Sequence, residues 1–514
     1  MKNVKKLIAL GLVVVMTMSL VACGGTKTGK KGSNGGKEVE IAYWHAGMGI
    51  DWLEEMVKVF NESQSDWNVT FKESAIKESL TSALGMEDVD TTDLYIAGQC
   101  YETEYMEPLD DLLDCTAEGD KKTIGEKMNP NYLSTARAAD GKVYTLSAGS
   151  SLYGIIYNKE LFKKVGIDVL PRTTDEIAVA CDKLLENNIT PWAIFGNWAY
   201  WDFFIEAWQA QYDGYSYYMN NYHACTNVDG ISPSRVVLEK QDGRYAVLRA
   251  MEKLITPEYV VDGAAAEDHI TMQTKFLNTD IGMMVNGNWL TKEMSEVGST
   301  DNFGLMRTPV ISEITEKLTT ISDDDTLRAV VSAIDEVIED ESKLEQYKSG
   351  DGYVVNGANI SEIDWDYVRD ARTTSPVGFS TAFIPKYSDA IEGAKEFLKF
   401  LCSDKGMDIF LKHTHISMPL EFSDGRETDT SDWTTLEVES DEVLKNTSYY
   451  ATNMMINRHP IFRVGGASSY CGVSVPAMMY TKNDADRMTA DDVWTEMMRL
   501  IELKYEKDWL FNIK

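Results

Sequence analysis

Eleven of the 26 residues from Asn197 to Tyr222 are Trp, Tyr or Phe, in a chain whose aromatic content is 10%. Rings at that density suit a ligand with flat apolar faces, and the C–H faces of sugar rings are of that kind. A sugar also carries a rim of hydroxyls, so its site needs Asp, Glu, Asn, Gln or His beside the rings. Each matched hydroxyl counts, because a buried polar group left unmatched costs about 1–3 kcal/mol. Part of the run has a plainer role: Trp201, Ile205, Trp208 and Tyr212 fall on one helical stripe and read as core. Trp198 and Tyr200 precede that helix, on a loop at a strand's carboxyl end, where side chains face a crevice. Asp202 lies beside them, either a hydroxyl acceptor or a plain carboxylate in a helix's first turn.

Three further places carry suitable groups. Trp44-His45 ends the first strand, as ligand contacts or as lobe core and loop. Glu73 follows the second strand and Gln99 the third. Enzyme signatures are absent: no HExxH, GxSxG, Walker A lysine or GxGxxG occurs, and Trp52 stands where a third glycine would follow Gly47-Met48-Gly49. His413-Thr414-His415 has no Cys or carboxylate at recognised ligand spacing, so neither a metal nor a cofactor is expected. The reading is of a binding protein, not an enzyme.

The elements that must position these residues alternate strand and helix. Val39, Ile41 and Tyr43 alternate, and Leu53, Met56, Val57 and Phe60 recur at helical spacing. Val69-Thr70-Phe71 and Asp93–Ala97 read as the next strands, Lys142–Leu146 and Ser151–Asn158 as two more. Thr173 with Glu176 forms a capping box ahead of the apolar positions Ile177, Ala180, Cys181, Leu184 and Leu185, and Ser388 precedes a helix through Leu401. Such alternation predicts an α/β fold with largely parallel sheet. At 514 residues the chain exceeds one ordinary core, so two or three domains are expected. The net charge of −33 excludes nucleic acid and anionic lipid as partners. Residues 312–374 are polar, with the acidic run Asp323–Asp325 read as solvated and a helix near Leu327–Ile338, and form an insertion.

At the start, Lys2, Lys5 and Lys6 precede an apolar run of 16 residues, Leu7–Ala22, the pattern of a secretory signal peptide. Leu20-Val21-Ala22-Cys23-Gly24 resembles a bacterial lipobox, which implies cleavage before Cys23 and lipidation of its thiol; residues 24–37 are a Gly/Ser/Lys-rich leash. Of the remaining cysteines, Cys100, Cys115, Cys181, Cys225, Cys402 and Cys471 are dispersed and read as free thiols.

The lipobox, Gly141–Tyr144, Ile156–Ile167 with Pro171–Glu176, Ile281–Trp289, and Ile384–Lys386 with Glu396–Leu401 follow one another in an order that resembles the family-1 extracellular solute-binding proteins of ABC importers. The resemblance implies a two-lobe, periplasmic-binding-protein-like type II fold with an interlobar cleft. It places the signal peptide at 1–22 and the lipidated Cys23 and leash at 23–37. Lobe 1 is then 38–148 plus 285–400, and lobe 2 is 149–284 plus 401–514. Crossings are expected near Ser147–Gly154, Met283–Asn286 and after Leu401, and Trp289 falls where the family often has a cleft aromatic. The implied protein is a monomeric lipoprotein, anchored outside the cell membrane, that captures a carbohydrate for ABC permease subunits. A surface glycoside hydrolase and a receptor feeding a sensor kinase are the alternatives.

Overall fold

The computed structural model describes residues 36–45, 47–73, 92–97, 102–196, 200–223, 242–451, 479 and 486–504. Cys23 with residues 24–35 of the expected leash, Gln99, Trp198, Cys100, Cys225 and Cys471 lie outside them, while Lys37, expected to end the leash, begins the first strand.

The first sheet begins with β1 (Lys37–Tyr43), helix α1 (Asp51–Ser63) and β2 (Trp67–Glu73). Val39, Ile41 and Tyr43 are buried, and α1 lays Trp52, Leu53, Met56, Val57 and Phe60 over them. Strand β3 (Leu94–Ala97) pairs parallel to β1 on the side away from β2. In this register Tyr43 lies opposite both Glu73 and Ile96, so the three strands end together. Tyr43 Oη accepts from Trp52 Nε1 (2.8 Å) and donates to Gly49 O (2.6 Å), which ties the β1–α1 loop to the core.

Strand β4 (Leu146–Asn158) is one continuous strand of 13 residues, where the sequence predicts two. The predicted Lys142–Leu146 segment contributes an isolated bridge at Val143. Helix α2 (Thr174–Glu186) follows, then β5 (Thr190–Ala193), helix α3 (Trp201–Asp213), helix α4 (Asp242–Leu254), β6 (Ile281–Gly287) and β7 (Phe303–Met306). Thr173 Oγ1 accepts from Glu176 N at 3.3 Å, as the capping box requires, but the Glu176 carboxylate accepts from Arg172 N at 2.7 Å, one residue early.

Residues 312–374 hold more than their polarity suggests. Helix α5 (Asp324–Glu339) starts at Asp323, whose carboxylate accepts from Thr326 N at 2.8 Å. Asp324 accepts from Ser312 Oγ (2.8 Å) and Thr173 Oγ1 (3.2 Å), so two members of the acidic run are engaged rather than simply solvated. Strands β8 (Lys348–Ser349), β9 (Gly352–Val355) and β10 (Ala358–Ser361) form a small antiparallel sheet. Asn356-Gly357 joins β9 to β10 with φ values of 50° and 85°, the two-residue turn whose twist suits a hairpin. Helix α6 (Glu362–Arg372) closes the segment, its buried Trp365 stacked on Tyr353 at 4.2 Å.

Strand β11 (Thr374–Phe383) joins the two halves. It pairs antiparallel with β3 through Thr381–Phe383 and with β4 through Leu146–Leu152. One residue later β4 changes partner, and Tyr153–Tyr157 pair with β6 while Ile155–Asn158 pair with β7. Beyond β11 come helix α7 (Ile391–Leu401), helix α8 (Asp404–Thr414), helix α9 (Thr435–Lys445) and β12 (Tyr449–Ala451), which pairs with Thr374–Pro376. Ala390, not Ser388, precedes α7; the Ser388 hydroxyl instead accepts from Ala390 N (3.0 Å) and donates to Asp93 (2.7 Å).

The packing divides the chain at other points than those expected. Among the described residues β6, with Met283–Asn286, pairs with β5 and β4, so the strand accompanying β4 between the halves is β11. Helix α8 packs on α1, with Phe410 edge-on to Trp52 at 5.0 Å and His413 on Glu55 at 2.6 Å, so the chain stays with the first sheet beyond Leu401.

Two polar contacts hold the later helices. Lys127, fully buried, binds Asp120 (2.6 Å), Asp404 (2.7 Å) and Cys402 O (2.7 Å) at the start of α8. At its end His415, left-handed at φ 52°, stacks on Trp433 (5.3 Å) and bonds Glu437 (3.1 Å). Cys115, Cys181 and Cys402 carry free thiols, and burial raises the Cys402 thiol to about 12.

Lys127→Met strands two carboxylates in the core and is expected to cost about 3–5 kcal/mol, read as a lower urea midpoint. The hydrogen bond to Glu437 raises the His415 pKa above its ordinary value. The stabilisation that goes with it is complete below about pH 6.5 and fades as pH rises through the higher folded value. His415→Asn, which tolerates the same backbone, should therefore lower the melting temperature more at pH 6 than at pH 9, by the equivalent of about 1 kcal/mol.

Candidate functional site

The carboxyl ends of β1, β2 and β3 form one rim. Trp44 is half-buried there, its N–H donating to Ile96 O at 3.0 Å. His45 and Glu73, both exposed, meet across the β1 and β2 ends with Nδ1 2.8 Å from Oε1. The sequence places the two residues 28 apart, and the parallel register brings them together.

The other rim is built on β5 and β6, whose carboxyl ends carry Phe195, Tyr200 and Trp289. Trp289 folds back over Gly287, where a Cβ would lie 1.8 Å from the indole. Asn288 clamps this turn to β4: its Oδ1 accepts from Leu152 N (3.2 Å) and its Nδ2 donates to Ser150 O (3.0 Å). The clamp thus sits at the point where β4 changes partner, and the next residue, Tyr153, meets the Trp289 ring edge-to-face at 5.0 Å. Phe203, on the first turn of α3, stacks on Tyr153 at 3.6 Å. Tyr200 closes the group, 5.5 Å from Trp289 and 5.6 Å from Phe195.

Tyr200 has φ +63°, a conformation that costs a non-glycine residue about 1–2 kcal/mol and recurs at functional sites. Burial raises its hydroxyl pKa, and the Glu293 and Asp202 carboxylates raise it further. Tyr153 is raised likewise, by burial first and then by Asp202. Asp202, half-buried, therefore presents its carboxylate beside two phenols that stay protonated. A protonated phenol both donates and accepts, and a carboxylate accepts, which is the set a polyhydroxylated ligand needs.

The two rims touch. Gly47 (φ 84°) lies so close to Trp289 that a Cβ would be 2.8 Å from the ring's Cδ1, and Gly49 (φ 73°) lies under Lys292, whose ammonium is 3.3 Å from Asp51. The two glycines of the β1–α1 loop make room for side chains of the opposite rim, not for a phosphate. Trp289 is consequently 7% exposed. Among the described residues no three His, Cys, Asp or Glu side chains are grouped to hold a metal ion.

Residues 49–408 match the family model described as bacterial extracellular solute-binding protein. The chain belongs to that family. Among individual solute-binding proteins, the diacetylchitobiose-binding protein of Streptomyces coelicolor is 30% identical over 182 residues, 34% of this chain and 41% of that one. The sn-glycerol-3-phosphate-binding periplasmic protein of Brucella abortus is 24% identical over 217 residues, 40% of this chain and 48% of its own. The chain thus spans under half the length of these two relatives. Solved structures share the fold over nearly the whole chain. The solute receptor AcbH, which prefers β-D-galactopyranose, has 13% identity and a TM-score of 0.57, covering 92% of this chain and 100% of its own. The acarbose-binding GacH receptor of Streptomyces glaucescens has 13% identity and a TM-score of 0.56, covering 92% and 99%.

This solute-binding protein has the two-lobed type II α/β fold, with β1–β3 in one lobe and β5–β7 in the other. No helix among its described residues is long and apolar enough to cross a membrane. Of the residues singled out in the sequence, Tyr200, Asp202 and Trp289 gather on one rim and Trp44, His45 and Glu73 on the other. The sequence Trp201, Ile205, Trp208, Tyr212 is core, as its stripe implies. Tyr153, Phe195 and Phe203 were not singled out; Tyr153 is marked only by lying at the partner change of β4, which a sequence pattern does not display.

Gly287→Ala forces the indole of Trp289 away from β6. The expected outcome is a folded protein, by far-ultraviolet circular dichroism, with a red-shifted tryptophan emission maximum.

Proposed function

We propose that this protein is an extracytoplasmic receptor that captures a neutral carbohydrate in the cleft between its lobes and delivers it to the permease of an ABC importer. The observation that carries the reading is the cluster of Trp289, Tyr153 and Tyr200 with the Asp202 carboxylate at its edge. Trp289 and Tyr200 supply the apolar platform, and Asp202 with the phenols supplies hydroxyl partners. Trp44, His45 and Glu73 answer them from the facing rim; Gln99 and Trp198, outside the described residues, are proposed as ligand contacts on their sequence positions alone.

The charge pattern favours a neutral ligand over the phosphate ester bound by one relative. Asp202, Glu73 and Glu293 line the two rims, while the nearby cation Lys292 already faces Asp51 and the His45 ring already meets Glu73. An anionic phosphate would enter a net acidic cleft. Sugar ligands named for other members, diacetylchitobiose and β-D-galactopyranose, are of the neutral kind.

The lobes turn about the Leu152–Tyr153 step of β4 and the adjoining β11. Turning lifts Gly47 off Trp289 and admits the sugar, and contacts from both rims then favour closure. A shift from 1:99 to 99:1 needs about 5.5 kcal/mol of preference for the closed form, which a ligand touching both rims can supply. A lipid on Cys23 would hold this monomer at the outer membrane surface through the 24–37 leash, within reach of the permease. The protein releases its ligand unchanged.

Calorimetric titration of residues 24–514 with mono- and oligosaccharides tests the reading. A responding sugar is expected, and Trp289→Ala should weaken it by about 2 kcal/mol, roughly thirtyfold, the scale of one buried aromatic side chain. A response to glycerol 3-phosphate with none to any sugar overturns the substrate class.

A further inference from the structure

Helix α3 has a site at each end. Its first turn carries the cleft aromatics. At its last turn, about 18 Å away along the axis, lies a cavity of about 160 Å³ walled by Tyr215, Tyr217, Tyr367 and Tyr449, with Asp370 and Ser216 among its polar members. We propose that this tyrosine pocket is a second, weaker binding site for a single neutral sugar residue, separate from the interlobar cleft. The proposal rests on the reading of the protein as a carbohydrate receptor.

The pocket is assembled from three parts of the chain. Helix α3 and the turn after it give Tyr215 and Tyr217; α6, at the close of the 312–374 segment, gives Tyr367 and Asp370; β12 gives Tyr449. Each ring is held. Tyr367 Oη donates to Tyr212 O (2.6 Å) and Tyr215 Oη to Tyr450 O (3.2 Å), while the Tyr215 and Tyr449 rings lie 4.5 Å apart. Gly214 ends α3 at φ 80°, and a Cβ there would be 3.5 Å from Tyr367 Oη, so the helix end and the ring approach closely. Thr374 Oγ1 donates to Asp370 O at 2.7 Å, fixing the backbone that bears the carboxylate. Walls fixed in this way lose little freedom when a ligand arrives.

The polar groups select the ligand class. Asp370 repels an anion. An aromatic cage with a carboxylate would suit a quaternary ammonium, but Arg369 lies 3.1 Å from the Asp370 carboxylate and offsets its charge. What remains is the Asp370 carboxylate, which also accepts from Tyr449 Oη at 3.4 Å, and the Ser216 hydroxyl beside flat rings, a pattern that fits hydroxyls on a sugar. The cavity, about 160 Å³, is small and suits one ring rather than a chain. Tyr217 stands 40% exposed at the mouth, a large ring left uncovered by the fold.

The test uses the soluble protein, galactose, N-acetylglucosamine and diacetylchitobiose at millimolar concentration, and saturation-transfer NMR with calorimetry. Trp289→Ala removes the main cleft platform; Tyr217→Ala and Asp370→Asn, added singly to it, address the pocket. Weak binding that persists in Trp289→Ala and falls about tenfold or more with either pocket substitution is the expected result. Tyr217 is surface-exposed, so Tyr217→Ala serves if Asp370→Asn fails to fold. Residual binding that ignores both substitutions overturns the pocket, as does its complete loss in Trp289→Ala while the wild-type protein binds; in that last case the cleft reading stands. Wild-type binding unaffected by Trp289→Ala and abolished by the pocket substitutions supports the pocket and sinks the cleft. Silence from every protein with every probe overturns both.

Discussion

The contact on which the cleft depends is the seat of Trp289. An indole folded against its own strand needs a strand residue with no side chain, and Gly287 is that residue. Its Cδ1 edge needs the same concession from the opposite lobe, and Gly47 makes it. The two rims thus meet on a single ring between two glycines. Tyr43, bonded to both Trp52 and Gly49, ties the β1–α1 loop to the first sheet.

The same economy shows in β4. One strand belongs to both sheets, and its change of partner at Leu152–Tyr153 falls beside the Asn288 clamp and the Tyr153 ring. The partner change of β4 and the aromatic cluster around Trp289 are therefore joined through consecutive residues. Gly149 lets the strand pass Phe410, and Gly154 lets it pass Leu305, with Cβ atoms at 2.7 and 2.6 Å respectively if either were replaced. Glycine inside a strand usually marks close approach of this sort.

What the sequence discloses follows how local each signal is. The buried faces of β1 and α1 and the N-cap Thr173 are readable because three or four neighbouring residues decide them. The pairing of His45 with Glu73 is half-readable: both stand at strand ends, and parallel order does the rest. Continuity of β4 is not readable, since Ser147-Ala148-Gly149-Ser150 shows no alternation; pairing with β11 on one edge and Phe410 above keep it extended. The hairpin at Asn356-Gly357 and the cap at Asp323 sit in a polar stretch where a turn, a cap and plain surface share the same residue types. The seat of Trp289 and the tyrosine pocket join segments more than 150 residues apart, beyond any spacing rule.

Tyr200 sets folding and recognition against each other. Its left-handed backbone would be free of cost to glycine and nearly so to asparagine. A search for hardier variants would replace it early, and would lose the edge that meets Trp289. Thermostability screens on this protein should thus report the binding site through its least comfortable residue.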